Sequence, residues 1–228
     1  MTIIALGINH KSAPVQLREK VAFSPDKLAH ALQSCPQYID TQQVVILSTC
    51  NRTEVYVDAK QAADAHKLSE WLADFHQTDY DTVRQHSYIK LGDDAINHLM
   101  RVACGLDSLI IGEPQILGQV KQAYTESKIA GKISAEFEKL FQSTFSVAKK
   151  VRTETEIGAN AVSVAFAAVQ LAKQIFSKLT NSHVLLIGAG ETIELVAKHL
   201  LDADTKSITV ANRTLSRASA LADQLNGT

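Results

Sequence analysis

The chain has 228 residues, of which 46% are hydrophobic and 21% are charged, so it has the composition to bury a core and is not expected to be disordered. Its net charge of -1 argues against a general nucleic-acid-binding protein, although it leaves room for a local patch that recognises one RNA. The three cysteines lack the close spacing of a disulfide framework or a metal site, and their sparse use favours a reducing, cytoplasmic compartment. Neither a signal peptide nor a membrane span is predicted.

The chain up to about residue 105 is predicted to form a small α/β or α+β domain. Apolar runs predict strands at 3–8, 44–47 and 55–57. Helical spacing and start signals predict helices at 15–23, 24–34, 62–76 and 93–105. The turn between the second and third strands carries Cys50, Asn51 and Arg52.

Helical periodicity dominates the middle of the chain. A glycine-bounded segment leads into a helix predicted at 114–129, which Gly131 ends. Apolar residues recur at helical spacing from 137 to 151 and, after a break at Gly158, from 162 to 179. We interpret these later helices as a connector between two domains.

The hydrophobic period changes near residue 183. The stretch HVLLI at 183–187 predicts a short buried strand, and after it come a glycine turn, a helix at 193–201, a strand at 207–211 and a helix at 216–225. This order is typical of the opening of a doubly wound nucleotide-binding fold with a parallel sheet. Such a sheet normally has about five or six strands. Because only two are predicted here, we expect the chain to be a fragment of a longer protein.

The glycine turn predicts nucleotide binding. Gly188 lets the chain leave the strand sharply, and Gly190 lets the backbone approach a pyrophosphate at the N-terminus of the next helix. Ile193 occupies the position where the general fingerprint has glycine or alanine, so the motif is incomplete. Arg213 follows the next strand, where an arginine favours NADP over NAD. The alternative is a turn that binds no nucleotide.

Cys50 is a candidate nucleophile. It lies at the end of a predicted buried strand, between Thr49 and Asn51 and two residues before Arg52. A nearby cation lowers the pKa of a thiol and raises its thiolate fraction. The alternative is that Cys50 is a small buried hydrophobe. We give this second interpretation to the other cysteines, Cys35 and Cys104.

Three further sets of polar residues have a functional and a structural interpretation. His98, on the predicted helix 93–105, is a candidate base, or else a structural histidine. Polar residues in or beside the glycine-bounded segment either line a pocket or serve only as turn and cap residues; they are Ser108, Glu113, Gln115 and Gln119. The run Lys149-Lys150-Val151-Arg152 is interpreted as a solvated helix face, with a local phosphate-binding site as the alternative.

Several long stretches occur in this order: GINHKSAPVQLREKVAF, LSTCNRTEVY, GLDSLIIGEPQILGQVKQAY, SVAKKVRTETEIG, SVAFAA and LLIGAGETIELVAKHL. They resemble bacterial glutamyl-tRNA reductases over essentially the whole chain. The resemblance implies an α/β fold with an N-terminal catalytic and substrate domain at 1–155, a connector helix at 156–180 and the first part of a Rossmann-type NADP-binding domain at 181–228. It also implies that the full-length protein has a C-terminal helical dimerisation domain and forms a homodimer.

The resemblance further implies a reaction for Cys50. Its thiolate attacks the ester that joins glutamate to the tRNA 3′ end, tRNA leaves, and NADPH reduces the thioester to glutamate-1-semialdehyde. This is the first step of tetrapyrrole (porphyrin and haem) biosynthesis by the five-carbon route. Arg52 would hold the free carboxylate of the substrate, and His98 would be important for activity, as the base. The other implied substrate contacts are Thr49, Asn51, Ser108, Glu113, Pro114, Gln115 and Gln119, and the implied NADP loop is Gly188, Ala189, Gly190, Glu191, Thr192 and Ile193.

Two other functions stay open at this point. One is a different thiol-dependent NADP oxidoreductase, of the aldehyde dehydrogenase type, which would use Cys50 on a phosphorylated or CoA substrate. The other is a non-catalytic tRNA-binding or regulatory module, whose tRNA binding would survive Cys50→Ala. If the implied reaction is right, we expect hand-off of the product to the next pathway enzyme, an aminomutase, and we expect neither DNA nor a membrane as a partner.

Overall fold

The computed structural model describes residues 2–159, 164–176, 178–225 and 227, and these fall into two compact units, Met1–Ala161 and Val162–Thr228. The α/β fold class predicted from the sequence is confirmed. The domain bounds expected at 1–155, 156–180 and 181–228 stay a prediction, and residues 160–163 and 177 of the expected connector lie outside the described ranges. None of the helices in those ranges is both long enough and apolar enough to cross a membrane.

A four-stranded antiparallel sheet forms the centre of the first unit. Its strands are β1 (Thr2–Asn9), β2 (Val44–Ser48), β3 (Arg52–Ala59) and β4 (Tyr88–Leu91), in the spatial order β2-β3-β1-β4. The central strands are therefore β1 and β3, and β2 and β4 are the edges. The strands predicted at 3–8, 44–47 and 55–57 are confirmed.

Helices cover both faces of this sheet. One face packs against α1 (Val15–Lys20), α2 (Pro25–Tyr38), α3 (Asp64–Phe75) and α4 (Tyr80–His86). The other face packs against α5 (Asp93–Ala103), α6 (Gln115–Ile129) and α7 (Ala135–Glu154), and the short α8 (Glu156–Ala159) follows α7. The helices predicted in this unit are confirmed with small shifts of their ends.

Alternation along β3 brings polar residues to the face that α5, α6 and α7 cover. Val55 and Val57 belong to the core of the opposite face, whereas Tyr56 belongs to the core beside these three helices. Because successive side chains of a strand point to opposite faces, Arg52 and Glu54 share the face of Tyr56. Both are fully or almost fully buried, with exposed fractions of 2% and 0%.

A cross-strand row connects three strands at the position of Glu54. Gly7 of β1 lies opposite Glu54 of β3 and, on its other side, opposite Tyr88 of β4. A Cβ atom at residue 7 would overlap the Tyr88 ring, so the missing side chain is what lets this ring lie across β1. The Tyr88 hydroxyl thereby reaches the Glu54 carboxylate two strands away.

The second unit contains the strand and helix order that the sequence predicted. The strands β5 (His183–Ile187) and β6 (Ser207–Ala211) pair in parallel, with α10 (Glu191–Leu201) between them and α11 (Leu215–Gln224) after them. The helix α9 (Val164–Phe176) precedes β5, and Val162, where its apolar pattern was predicted to begin, lies outside the described residues. The core of the second unit contains Leu186, Leu200 and Ile208.

The sequence did not predict α4 or β4. The strand has four residues, and three consecutive ones, Ile89, Lys90 and Leu91, are exposed. Its side chains therefore do not alternate between buried and exposed positions. It exists because it pairs with β1 at the edge of the sheet. A short edge strand of this kind depends on tertiary pairing rather than on its own pattern.

We predict that Gly7→Ala destabilises the first unit. The added methyl group overlaps the Tyr88 ring, and overpacking of this kind costs about 1–3 kcal/mol of the free energy of unfolding. The matched control is Gly118→Ala in α6, where an added Cβ has no neighbour within 4 Å. Helix propensity predicts that this control gains roughly 0.5–1 kcal/mol. Urea unfolding of the two variants measures both changes, and equal stability of Gly7→Ala and the wild type would contradict the packing of Tyr88 across Gly7.

Candidate active site

Four side chains converge on the buried carboxylate of Glu54. Arg52 Nη1 donates to Oε1 at 2.7 Å, and His98 Nε2 lies 2.9 Å from the same oxygen. The Tyr88 hydroxyl donates to Oε1, and the Tyr56 hydroxyl donates to Oε2. We call Arg52, Glu54, Tyr56, Tyr88 and His98 the carboxylate cluster. The sequence predicted Arg52 and His98 as separate candidates, and the structure brings them to one carboxylate.

Each member of the carboxylate cluster is placed by the element that carries it. Arg52 and Tyr56 flank Glu54 at two-residue spacing on β3, and Tyr88 reaches it across Gly7. His98 comes from α5, in which the next residue, Leu99, is fully buried in the core. Because Leu99 anchors this turn of the helix, the imidazole of His98 lies at the edge of the core and meets the carboxylate.

The cluster keeps Glu54 ionised. Burial by itself raises the pKa of a carboxyl group, but hydrogen bonding from His98 and the positive charge of Arg52 outweigh it and lower the pKa of Glu54 to about 2. Burial and the negative charge of Glu54 raise the pKa of the Tyr56 and Tyr88 hydroxyls. Both phenols therefore stay protonated and donate hydrogen bonds to the carboxylate.

Arg52 also binds a second carboxylate, that of Asp107. Nη1 and Nη2 each lie 3.2 Å from Asp107 Oδ2, and Nη2 donates to the Asp107 carbonyl oxygen at 2.5 Å. Lys11 Nζ donates to the other carboxylate oxygen of Asp107 at 2.6 Å. The side chain of Arg52 is thus engaged by two acids, which fix its position.

The thiol turn, residues 49–51, presents Cys50 to solvent between β2 and β3. The Thr49 amide donates to the Arg52 carbonyl at 2.8 Å, and Thr49 Oγ1 accepts from the amides of Asn51 and Arg52 at 3.2 and 3.1 Å. Cys35 and Cys104 are buried, as the sequence predicted, and burial raises the pKa of both thiols. Cys50 is therefore the accessible thiol of the three.

The cation that contacts the thiol turn differs from the predicted one. In the part of the chain that the structure describes, the Arg52 guanidinium bonds to Glu54 and Asp107 rather than to Cys50. The cation that contacts the thiol turn is Arg18. Its Nη1 donates to the Cys50 carbonyl at 2.8 Å and to Asn51 Oδ1 at 3.4 Å. The expectation that Arg52 acts on the thiol as its neighbouring cation is thus corrected, since residue spacing alone does not reveal that this side chain turns into the protein.

The glycine-bounded segment reaches the cluster through Asp107, which immediately precedes Ser108. Ser108 is 7% exposed, and its buried Oγ has no hydrogen-bond partner within the described residues. Glu113 and Gln119 are half-buried, and Pro114 and Gln115 are exposed at the start of α6. Gln119 also lines a cavity of about 450 Å³ beside Ser48 at the edge strand β2.

Arg152 anchors the same segment from α7. Its Nη2 donates to the Gly112 carbonyl at 2.9 Å and to the Glu113 carbonyl at 2.8 Å. Lys149 and Lys150 are exposed, as predicted for a solvated helix face, but Arg152 is half-buried. The prediction for Arg152 is therefore wrong, because this side chain satisfies backbone carbonyls instead of facing solvent.

The predicted nucleotide-binding residues of the second unit lie in the turn after β5 and at the start of α10, except Arg213, which follows β6. Gly188 has a φ of +116°, a backbone conformation that suits glycine, and Gly190 is the N-cap of α10 with no neighbour within 4 Å of an added Cβ. Ile193 is half-buried behind this turn, whereas Glu191, Thr192 and Arg213 are exposed and Ala189 is half-buried. Open backbone beside a helix N-terminus fits a diphosphate.

Several residues of these sites were missed by sequence reasoning. Arg217, in α11, lines a cavity of about 360 Å³ with Gly190 and Glu191, and it supplies a cation there. Period-two spacing of polar residues in an otherwise apolar strand, R-x-E-x-Y at 52–56, was a signal for Glu54 and Tyr56. No local pattern indicated the partners that arrive from elsewhere: Arg18, Tyr88, Asp107 and Arg152.

Two family models match the sequence. Residues 6–155 match the model described as Glutamyl-tRNAGlu reductase, N-terminal domain, and residues 170–228 match Shikimate / quinate 5-dehydrogenase. The glutamyl-tRNA reductases of Pseudoalteromonas atlantica and Shewanella halifaxensis are 63% and 56% identical over all of this chain, which covers 54% of each relative. The solved glutamyl-tRNA reductase of Methanopyrus kandleri has a TM-score of 0.64 at 36% identity, over 99% of this chain and 53% of that chain. The chain spans about half the length of the curated relatives it matches.

The second match agrees with the architecture of the second unit. A parallel strand pair with a helix between its strands and a glycine turn after the first strand is the opening of a Rossmann-type fold. Together with the match to a dehydrogenase family model, this identifies the start of a dinucleotide-binding fold.

We predict that Glu54 contributes stability that is lost in acid. The pKa of its carboxyl in the folded protein, about 2, lies below its ordinary value of 4.5, so the contribution is fully present above the ordinary value and disappears as the pH falls through the folded one. Glu54→Gln lacks the charge and leaves Arg52 with one carboxylate fewer, and breaking a buried pair costs about 3–5 kcal/mol.

The free energy of unfolding of wild type minus that of Glu54→Gln is therefore expected to be constant above about pH 5.5 and to shrink toward pH 2. The matched control is Glu70→Gln on the exposed side of α3, for which little difference from the wild type is expected at any pH. A difference for Glu54→Gln that stays constant or grows as the pH falls from 5 toward 2 would contradict the low pKa of Glu54.

Proposed function

Because this chain belongs to the glutamyl-tRNA reductase family, we propose that Cys50 attacks the ester of glutamyl-tRNA and that the resulting thioester is reduced with NADPH to glutamate-1-semialdehyde. The observation that carries the proposal is the exposed thiol of Cys50, in a turn that β3 connects directly to the buried carboxylate cluster. The reaction would make the protein an oxidoreductase of tetrapyrrole biosynthesis.

The first step suits an exposed thiol on a braced turn. A bond forms between Cys50 Sγ and the ester carbonyl carbon, the ester C–O bond breaks, and the ribose hydroxyl of tRNA leaves with a proton. A macromolecular ester reaches a nucleophile only at the surface, where Cys50 lies. The contacts of Thr49 and Arg18 hold the backbone of the turn, so the thiol approaches the ester from a defined direction.

His98 is suited to move the proton. Its Nε2 faces an ionised carboxylate, so Nε2 carries a hydrogen and donates it to Glu54. In the neutral imidazole this leaves Nδ1 as the acceptor. Glu54 thereby acts as a positioning residue, which fixes the tautomer and the ring orientation of the proposed base.

Arg52 and Ser108 are proposed to bind the glutamate moiety. The Arg52 guanidinium already binds the Asp107 carboxylate. A substrate carboxylate therefore has to displace Asp107 or bind Arg52 together with it. The Ser108 hydroxyl is next to Asp107 and has no hydrogen-bond partner among the described residues, so it can donate to the substrate. The remaining proposed contacts are Thr49, Asn51, Glu113, Pro114, Gln115 and Gln119.

NADPH, when bound, supplies the hydride that reduces the thioester. The backbone at Gly188 to Ile193 is proposed to hold its diphosphate at the N-terminus of α10, and Arg213 its 2′-phosphate. Glu191 and Glu194 bring negative charge to the same turn, and Arg217 in the adjoining cavity offsets it. A homodimer and hand-off to an aminomutase belong to the proposal for the full-length protein.

We predict a glutamyl thioester on Cys50. Wild-type chain mixed with glutamyl-tRNA in the absence of NADPH is expected to gain the mass of one glutamyl group, which hydroxylamine removes. Cys50→Ser is expected to gain no hydroxylamine-labile mass. The matched control Cys104→Ser removes a buried cysteine and is expected to keep the adduct.

Three results of this experiment would contradict the proposal. An unmodified wild type with intact charged tRNA would exclude acyl transfer by this chain, and tRNA binding that survives Cys50→Ala would then indicate a binding module. Acylation by an acyl phosphate or acyl-CoA but not by glutamyl-tRNA would indicate an enzyme of the aldehyde dehydrogenase type. A labile adduct that persists in Cys50→Ser would place the nucleophile elsewhere.

We predict that His98→Asn slows acylation by about 10²–10⁴-fold, the range that general acid–base catalysis contributes. Glu54→Gln is expected to slow it as well and to change its pH profile, because the hydrogen on Nε2 is no longer fixed by a carboxylate. The matched control is Tyr56→Phe, which removes a hydrogen bond to the other carboxylate oxygen and is expected to keep the wild-type pH profile. Single-turnover rates between pH 6 and 9 measure these effects, and an unchanged rate for His98→Asn would remove this residue from the mechanism.

A further inference from the structure

A cavity of about 480 Å³ lies beside the carboxylate cluster on its solvent side. Its walls are the edge strand β4, one face of α5 and the segment that follows β1, and His98 and Asp107 form part of its lining. Three cations also line it: Lys11, Lys90 and Arg101. We call it the basic cavity.

The helix α5 and the strand β4 direct Arg101 and Lys90 to the same space. Asp94, Asn97, His98 and Arg101 follow one another on α5 at a spacing that places them on one helix face. Lys90 is two residues from Tyr88 in β4, so both side chains lie on the same face of the sheet. The cavity therefore results from the fold and is not a chance grouping of surface side chains.

Two of the cations are not held in ion pairs within the part of the chain that the structure describes. Lys11 binds Asp107, whereas Lys90 and Arg101 are exposed and form no ion pair within the described residues. The chain as a whole has a net charge of -1, so a pair of free cations facing one cavity is a local feature. Such a pair, with the Asn97 amide beside it, fits an anionic group such as a phosphate.

We infer that the basic cavity binds a backbone phosphate at the 3′ end of the RNA substrate. This rests on the proposed function, in which the ester to be attacked is on the terminal ribose. The phosphate that precedes this ribose belongs to the same terminal nucleotide as the ester, so its site has to adjoin the thiol turn. Asn9 of the cavity is followed by His10, whose amide donates to the Asn51 carbonyl at 3.0 Å, and the cavity therefore adjoins that turn.

The second acid of the cavity, for which the described residues show no ion pair, also fits RNA. Asp94 lies in the first turn of α5, and its carboxylate is a hydrogen-bond acceptor for ribose hydroxyl groups. The 2′-hydroxyl group is what lets a protein distinguish RNA from DNA. The 2′-phosphate of NADPH is the other source of a phosphate, and the experiment has to separate the two.

The test compares three forms of the chain. Lys90→Ala/Arg101→Ala removes the two free cations, and Lys90→Arg/Arg101→Lys keeps both charges. Lys27→Ala/Lys139→Ala removes two exposed lysines that do not line the basic cavity. Fluorescence anisotropy measures the Kd for a tRNA acceptor-stem RNA with a single-stranded 3′ end, for the DNA of the same sequence and for NADPH.

We expect Lys90→Ala/Arg101→Ala to raise the Kd for the RNA at least tenfold and to reduce the slope of log K against log salt by about 1.4, the value for two lost single-strand phosphate contacts. The charge-conserving and the distant double variants should bind RNA like the wild type. The wild type should bind the DNA more weakly than the RNA.

Two results would overturn the inference. An unchanged Kd for RNA in Lys90→Ala/Arg101→Ala would exclude the basic cavity as an RNA site, even if Cys50 is acylated and the proposed function holds. A raised Kd for NADPH alone would assign the cavity to the cofactor phosphate. Weaker RNA binding by this variant together with a wild type that is not acylated would keep the RNA site and reject the proposed function.

Discussion

An ionised carboxylate that is fully buried is the constraint on which the first unit depends. A buried charge without partners is so costly that a group in that position protonates instead, and Glu54 avoids this through four donors. Those donors come from β3, β4 and α5, so the four hydrogen bonds form only when the strand register and the packing position of α5 on the sheet are both correct. Gly7 takes part without a side chain, because only its open space lets Tyr88 cross β1.

The same carboxylate relates the parts of the proposed chemistry to one another. It orients His98, and it holds Arg52 beside Asp107, from which the segment with Ser108 continues. The thiol turn begins where β2 ends, and it is closed by backbone contacts to Arg52. A buried ion pair adds little net stability over an apolar core, so its value here lies in fixed geometry, which catalytic groups require.

Local patterns were sufficient for the parts of the fold that are local. The parallel pair β5 and β6 and its glycine turn follow from apolar runs and turn residues, and the structure confirms them. The carboxylate cluster depends instead on register between strands far apart in sequence, which no local pattern encodes. For the same reason the sequence assigned Arg52 to the thiol and Arg152 to solvent, whereas tertiary contacts give both of them buried acceptors.

The tautomer of His98 tests the central claim most directly. In ¹⁵N-labelled protein at a pH where this imidazole is neutral, long-range ¹H–¹⁵N correlations, assigned by comparison with His98→Asn, report which ring nitrogen carries the hydrogen. The ionised carboxylate of Glu54 predicts a hydrogen on Nε2 and an unprotonated Nδ1. A hydrogen on Nδ1 with a bare Nε2 would place two acceptors 2.9 Å apart and would contradict the account.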